Sequence, residues 1–184
     1  REAMVRQLHQ AGNPIDCLVN NASLFAPDEG TSFSDASALA HWHVNLLAPL
    51  ALARDMATQM CPQDTSATAV AGQSSVIHVL DQKVFNLNPD YFSYTVSKLA
   101  LERAVALQAQ ALAPKVRVCG VAPGLLYLSG TQTPDNFAIA SRANLLKKPI
   151  DPAEVARCCV FLAESSCITG TVVHVDNGQH LVPR

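Results

Sequence analysis

Apolar positions along the chain fall into short β-branched runs separated by longer stretches with helical spacing. Ile15-Asp16-Cys17-Leu18-Val19, Ser75 to Leu80, Val116 to Val121 and Gly170 to Asp176 are such runs, and they predict four buried strands. Residues 1–11 predict a helix that stops at Gly12-Asn13-Pro14. A second helix starts at the cap Ser34-Asp35 and reaches about Met60, with Pro49 expected to kink or split it. A third spans about Tyr91 to Ala113 before Pro114, and a fourth runs to Glu164 from Asp151-Pro152, a cap followed by proline at the first helical position. A polar loop (25–34), a polar stretch (61–74) and an irregular segment (125–148) with a short helix from Pro134 to Leu146 complete the chain. A long insertion after a strand commonly covers a substrate. Strands and helices alternate four times, which predicts an α/β fold: a parallel sheet with helices on both faces.

The chain's 184 residues fit one domain, 1–184, with no internal repeat. With 49% hydrophobic and 15% charged residues, a compact fold is expected. A net charge of −2 without a basic run argues against nucleic-acid or polybasic membrane binding. No run of eighteen apolar residues predicts a membrane span, and Arg1 to Arg6 reads as the middle of a helix rather than a signal peptide, so a cytoplasmic protein is expected. Cys17, Cys61, Cys119, Cys158, Cys159 and Cys167 contain no Cys-x-x-Cys pair and read as buried reduced thiols. His41 and His43 point to different faces of a helix and are expected to be satisfied or exposed, so no metal is assigned.

The informative chemistry lies around Tyr94-Thr95-Val96-Ser97-Lys98. Positions four apart share a helix face, which places the Lys98 ammonium near the Tyr94 phenol and is expected to lower its pKa toward that of a general acid. Asp81, thirteen residues before Tyr94, sits at the carboxyl end of its strand, where open α/β sheets bind ligands. A strand-end cap is the plainer reading of Asp81, and a helical surface pair that of Tyr94 and Lys98.

Asn20-Asn21-Ala22, Asn45, Tyr94-x-x-x-Lys98, Pro123-Gly124 and the closing Thr169-Gly170 to Asp176-Asn177-Gly178 occur in the order that resembles the short-chain dehydrogenase/reductase family. Within it the pattern resembles pteridine reductases and dihydromonapterin or dihydrofolate reductases, because Asp81 replaces the usual serine and Ser23 and Phe25 follow Asn20-Asn21-Ala22. The resemblance implies a Rossmann-like doubly wound sheet, with Tyr94 as proton donor and Lys98 holding the nicotinamide ribose while lowering the tyrosine pKa. It also implies that Asn45 supports a water linked to Lys98, and that Asn20, Ala22, Pro123 and Gly124 line the cofactor cleft. Ser23 and Phe25 would contact a pterin and Asp81 would help relay a proton to a ring nitrogen; an aromatic ring gives a flat heterocycle a stacking face. The plainer readings of Phe25, Ser23 and Asn45 are loop packing, a local turn bond and a helix-face amide. Leu125-Leu126-Tyr127-Leu128 stand where the family places a threonine a few residues after the glycine.

None of the eight glycines forms a Gly-x-Gly turn before a helix near the N-terminus, so the phosphate-binding element of a dinucleotide fold is not found. The chain is therefore expected to start in the helix before the family's fourth strand, lacking the first strands and about 60 residues, which leaves the strand at Ile15 to Val19 as an apolar edge. The resemblance implies NADP(H), with NAD(H) not excluded. The reading is a reductase that moves a hydride from NADPH to a pterin-type substrate. The alternatives are an NAD(P)-dependent carbonyl or alcohol oxidoreductase and a catalytically silent fragment or interface subunit. A homo-oligomer, tetramer or dimer, is implied by the resemblance, with the alanine-rich 95–113 helix and its predecessor as the packing surface.

Overall fold

The computed structural model describes residues 2–12, 15–59, 74–130 and 132–183. The expected breaker Asn13-Pro14, Cys61 and most of the polar 61–74 stretch lie outside them. Four strands form one sheet in the order β1 (Cys17–Asn20), β2 (Ser74–Val79), β3 (Val116–Pro123), β4 (Val172–Val175). Every pair is parallel, with Leu18 opposite Val76, Val76 opposite Val118 and Val121 opposite Val173. Among the described residues β1 is an outer strand, as the apolar edge expected at Ile15 to Val19 requires.

Helices α1 (Glu2–Gln10), α2 (Asp35–Trp42), α3 (Ala48–Gln59) and α4 (Phe92–Leu112) precede α5 (Pro134–Ala140) and α6 (Pro152–Glu164). Side chains alternate across a strand. Val76 and Val118 therefore pack with Ala53 and Met56 of α3 and Ala109 of α4, while Ile77, Cys119 and Val121 pack with Val155 and Leu162 of α6. Both faces are thus covered, as expected. The strand order advances in one direction throughout, yet α6 crosses on the face opposite α3 and α4. The last connection is consequently opposite in hand to the first two, and it begins by carrying residues 124–130 and 132–151 past the carboxyl rim of the sheet. Gly120 shows how close α4 lies: a Cβ there would stand 2.8 Å from Leu80 Cδ1 and 3.3 Å from Val105 Cγ2.

Backbone chemistry gives one expectation its form and corrects another. The irregularity expected from Pro49 is a π turn at His43–Leu47 between α2 and α3, with the Ala48 N–H reaching back to the His43 carbonyl. Proline brings no N–H to the Asn45 carbonyl four residues earlier, and the widened turn absorbs that loss without a break. The helix from Pro134 stops at Ala140 rather than Leu146. Asn144 Nδ2 donates to the carbonyls of Ser141 and Lys148, so a side chain closes a local turn that competes with further helix. Elsewhere the caps act as expected: Ser34 accepts from Ser37 N–H, and Asp151 from Ala153 N–H.

His41 is buried and satisfied, with Nδ1 on the Ser37 carbonyl and Nε2 accepting from Ala26 N–H, whereas His43 is exposed. Of the thiols expected to be buried, Cys119 is buried, Cys17, Cys158 and Cys159 are half-buried, and Cys167 is exposed. No described helix is long and apolar enough to cross a membrane. No group of described His, Cys, Asp or Glu residues is arranged to hold a metal ion.

Candidate active site

The carboxyl ends of β1, β2 and β3 meet at one cavity of about 910 Å³, lined by Asn21, Asp81, Pro123 and Gly124. Ser23, Phe25 and Tyr94 line it too, and residues from Leu125 to Asn136 supply the covering wall. Gly124 is constrained by its neighbours: a Cβ would fall 2.6 Å from Gln179 Oε1 and from Ile150 Cδ1.

Asp81 divides its two oxygens. Oδ1 accepts from the Lys83 backbone N–H at 2.7 Å and caps the 3-10 turn Gln82–Phe85. Oδ2 accepts from the Tyr94 hydroxyl at 2.7 Å. The cap reading of Asp81 is realised, and the same residue holds the Tyr94 hydroxyl. Burial pushes the Asp81 carboxyl above its ordinary range, against the Lys83 N–H, the Tyr94 hydroxyl and the Lys98 and Lys83 charges, which favour the anion.

Tyr94 departs from expectation. Its hydroxyl is pushed well above the ordinary phenol range, first by burial and then by the charge and hydrogen bond of Asp81. The lowering expected from Lys98 is not found, because the lysine Nζ donates to the Val79 carbonyl at 2.8 Å and lies 5.9 Å from the tyrosine ring centre. Burial also brings Lys98 down to about 8, with the Asp81 charge opposing the shift. The phenol proton is thus directed at a carboxylate, and the ammonium at the end of β2.

Phe25 stacks on Tyr91, ring centres 4.1 Å apart and planes 8° from parallel. It meets Tyr94 edge-on at 4.7 Å. The phenylalanine remains 42% exposed and lines the cavity, so the three rings form an aromatic wall beside Asp81.

Asn45 is wholly buried and anchors the loop that carries Ser23 and Phe25. Its Oδ1 accepts from Leu24 N–H at 2.7 Å and Ser23 Oγ at 3.2 Å, and its Nδ2 donates to the Leu24 carbonyl at 2.9 Å and Ser97 Oγ at 3.0 Å. Those four bonds use the side chain's full capacity. Asn20 turns into the sheet, where Nδ2 donates to His78 Nδ1 at 3.2 Å; His78 Nε2 faces Gln108 Oε1 at 2.9 Å. Ala22 is exposed beside β1, and Asn20, Ala22, Asn45 and Lys98 are not among the cavity-lining residues.

Sequence reasoning missed Gln82, Lys83, Asn88, Tyr91, Gln132 and Gln179, all of which line the cavity. Lys83 is buried and its Nζ pairs with Asp90 at the same rim. Tyr91 has a left-handed backbone, φ 51°, rare for a side chain of this size. Its position three residues before Tyr94 was the only signal that could have found it.

A parallel α/β sheet with a cavity at its carboxyl rim is the frame of NAD(P)-dependent oxidoreductases. A family model described as enoyl-(acyl carrier protein) reductase matches residues 1–180, and the chain belongs to the short-chain dehydrogenase/reductase family. It is 29% identical over 169 residues to the dihydromonapterin reductase of Citrobacter koseri, covering 91% of this chain and 67% of that protein. To the dihydromonapterin reductase of Escherichia coli it is 26% identical over 181 residues, 97% of this chain and 72% of that one. The crystal structure of the FolM alternative dihydrofolate reductase 1 from Brucella canis, complexed with NADP, matches with a TM-score of 0.88 at 37% identity, covering 99% of this chain and 70% of that chain. The Brucella suis counterpart, also in complex with NADP, gives the same TM-score and identity over 100% and 71%.

Proposed function

We propose that the chain carries the catalytic site of an NADP(H)-dependent reductase acting on a pterin-type substrate. The observation that carries this reading is the 2.7 Å bond between the Tyr94 hydroxyl and Asp81 Oδ2, set against the Phe25–Tyr91 wall inside the cavity. A flat heterocycle finds a stacking surface there. A ring nitrogen that gains a proton during reduction finds a hydroxyl and a carboxyl sharing one. The relatives named as dihydromonapterin and dihydrofolate reductases support the same substrate class.

The residues present suit the nicotinamide end of NADP(H). Gly124 leaves the end of β3 without a side chain, and Lys98 sits close behind Tyr94 with an ammonium able to bind ribose hydroxyls. Ala22 beyond β1 and Pro123 at the end of β3 flank this region, with Asn20 holding the end of β1 through His78. When bound, NADP(H) supplies the hydride. Asp81 orients the Tyr94 proton and takes part in its transfer, and burial keeps water from competing for it. Ser23 presents its hydroxyl to the substrate, and Asn45 acts as a positioning residue through Ser23 and Leu24. Its carbonyl, to which Pro49 offers no N–H, is the group available to a water linked to Lys98. The exposed Leu39, Val96 and Leu107 of α2 and α4 support a homo-oligomer built on those helices.

The test is pterin-dependent NADPH oxidation by the chain and by Asp81→Ser, run beside a simple ketone. The serine variant is expected to lose at least tenfold more kcat/KM on the dihydropterin than on the ketone. Equal losses would make a general carbonyl oxidoreductase the better reading. A folded chain that binds neither NADPH nor a dihydropterin would be a silent interface subunit.

A further inference from the structure

Helix α4 carries Tyr94 and Lys98, yet the residue that precedes it does not cap it. Tyr91, at the cap position, has a left-handed backbone (φ 51°, ψ 50°) and its side chain makes no cap hydrogen bond. The first N–H groups of a helix have no partner within the helix. Two of those of α4 are met by a single residue of the 25–34 loop. Asp28 Oδ1 accepts from the Ser93 N–H at 2.9 Å, across 65 residues of chain, and the Asp28 carbonyl accepts from the Phe92 N–H at 3.2 Å. Ser93 is the second helical residue, a position whose N–H a cap side chain ordinarily holds. Asp28 thus supplies from a distant loop what Tyr91 does not. Three further contacts lay the same loop along the start of the helix. Glu29 bridges to Asp90, Phe33 meets Phe92 at 5.3 Å, and at Gly30 a Cβ would stand 3.4 Å from Phe92 Cδ2.

We propose that Asp28 is a positioning residue for proton transfer: as the remote cap of α4 it fixes the start of the helix, and with it the Tyr94 hydroxyl against Asp81. The inference rests on the role of Tyr94 as proton donor proposed above. Helix ends fray where their N–H groups are unmet, and Tyr94 is the third residue of this first turn. Asp81 is held separately, through the Lys83 N–H. Fraying at α4 would therefore move the phenol against a carboxylate that stays in place. A carboxylate suits this position because it faces the positive end of the helix dipole and forms a charge-assisted bond to the N–H. Asp28 also follows Phe25 by three residues, while Asn45 holds Leu24 on the other side. The phenylalanine ring is thus carried between two ties, one of them to the helix whose tyrosine it touches.

The test is NADPH-dependent turnover of a dihydropterin and of a simple ketone by the full wild-type chain, Asp28→Ala and Asp28→Asn, each below its own unfolding midpoint. Asp28→Ala is expected to lose about tenfold in kcat on both substrates, the scale of a sub-ångström misplacement of a reacting group. Its KM for NADPH should change little, and its solvent deuterium isotope effect on kcat should rise as transfer of the tyrosine proton becomes slow. Asp28→Asn keeps the acceptor at Oδ1, and Oδ2 has no partner to lose. That variant is expected to return kcat to within about threefold of wild type, since asparagine caps as well as aspartate. A lowered Tm with kcat and isotope effect unchanged would overturn the inference, as would an asparagine variant as slow as the alanine one. If the alanine variant does not fold, amide exchange in the wild type decides. The Phe92 and Ser93 N–H groups are expected to exchange as slowly as that of Thr95, which is bonded to the Tyr91 carbonyl, and free exchange would overturn the inference. A folded wild-type chain that reduces neither substrate would overturn the reductase reading, and this inference with it.

Discussion

Replacing Asn45 with alanine removes four hydrogen bonds from a wholly buried position, two of them to the Leu24 backbone and one to Ser23. Net contributions of about 0.5–1.5 kcal/mol apply to each bond. The Leu24 pair alone is then worth about 1–3 kcal/mol. Ser97 keeps its own donation to the Tyr94 carbonyl and loses only one accepted bond, so its share is small. The sum is a loss of about 2–4 kcal/mol, or a fall in Tm of about 5–15 °C for a chain of this length. Urea and thermal unfolding followed by Trp42, the only tryptophan and the residue just before the π turn, would read it directly. Functionally, the loss frees the loop that carries Ser23 and Phe25, so dihydropterin affinity should weaken while ketone turnover changes little. Asn45→Asp keeps both accepted bonds but sets a carboxylate against the Leu24 carbonyl, and is expected to be no more stable than the alanine variant. A loss under about 1 kcal/mol for the alanine variant would refute the assignment of Asn45 as the anchor of this loop.

Burial holds His78 at about 4, below its ordinary 6.5, so the neutral ring is favoured in the fold. Its contribution is complete above pH 6.5 and is lost as pH falls toward 4, an amount of about 3 kcal/mol. Denaturation midpoints measured from pH 7 to 4 should decline in the wild type and decline less in His78→Gln; parallel curves would contradict the assignment. Gly120→Ala places a Cβ 2.8 Å from Leu80 Cδ1 and 3.0 Å from Val172 Cγ2. A destabilisation of about 1–3 kcal/mol in urea unfolding is expected, and an unchanged midpoint would show that α4 can move away from the sheet.

Most of the sheet and its helices were legible because each strand is a compact β-branched run and each helix carries its own cap or stop. Ser34, Asp151 and Pro152 act as their residue types predict. The π turn was not legible, since proline signals a missing donor but not whether the backbone breaks or widens around it. Asp81 and Tyr94 were legible from spacing, and the structure joins them directly. The direction of the tyrosine shift was not, because spacing measured along α4 ignores the Val79 carbonyl that holds the lysine. Asp28 carries no sequence signal at all: a carboxylate in a polar loop becomes a cap only when the fold brings a helix start to it.

The ends of the segment covering the cavity lie side by side, since the space a Cβ would take at Gly124 is bounded by Ile150. An excursion that leaves and rejoins the framework at one point can change length or composition with little mechanical effect on the strands beneath it. Closure cost grows only slowly with the number of residues enclosed. Asp81 and Tyr94 stand on the framework, at the end of β2 and the start of α4, while Gln132 stands on the excursion. A change in this excursion is thus expected to reshape one wall of the cavity while leaving the Tyr94–Asp81 hydrogen bond in place.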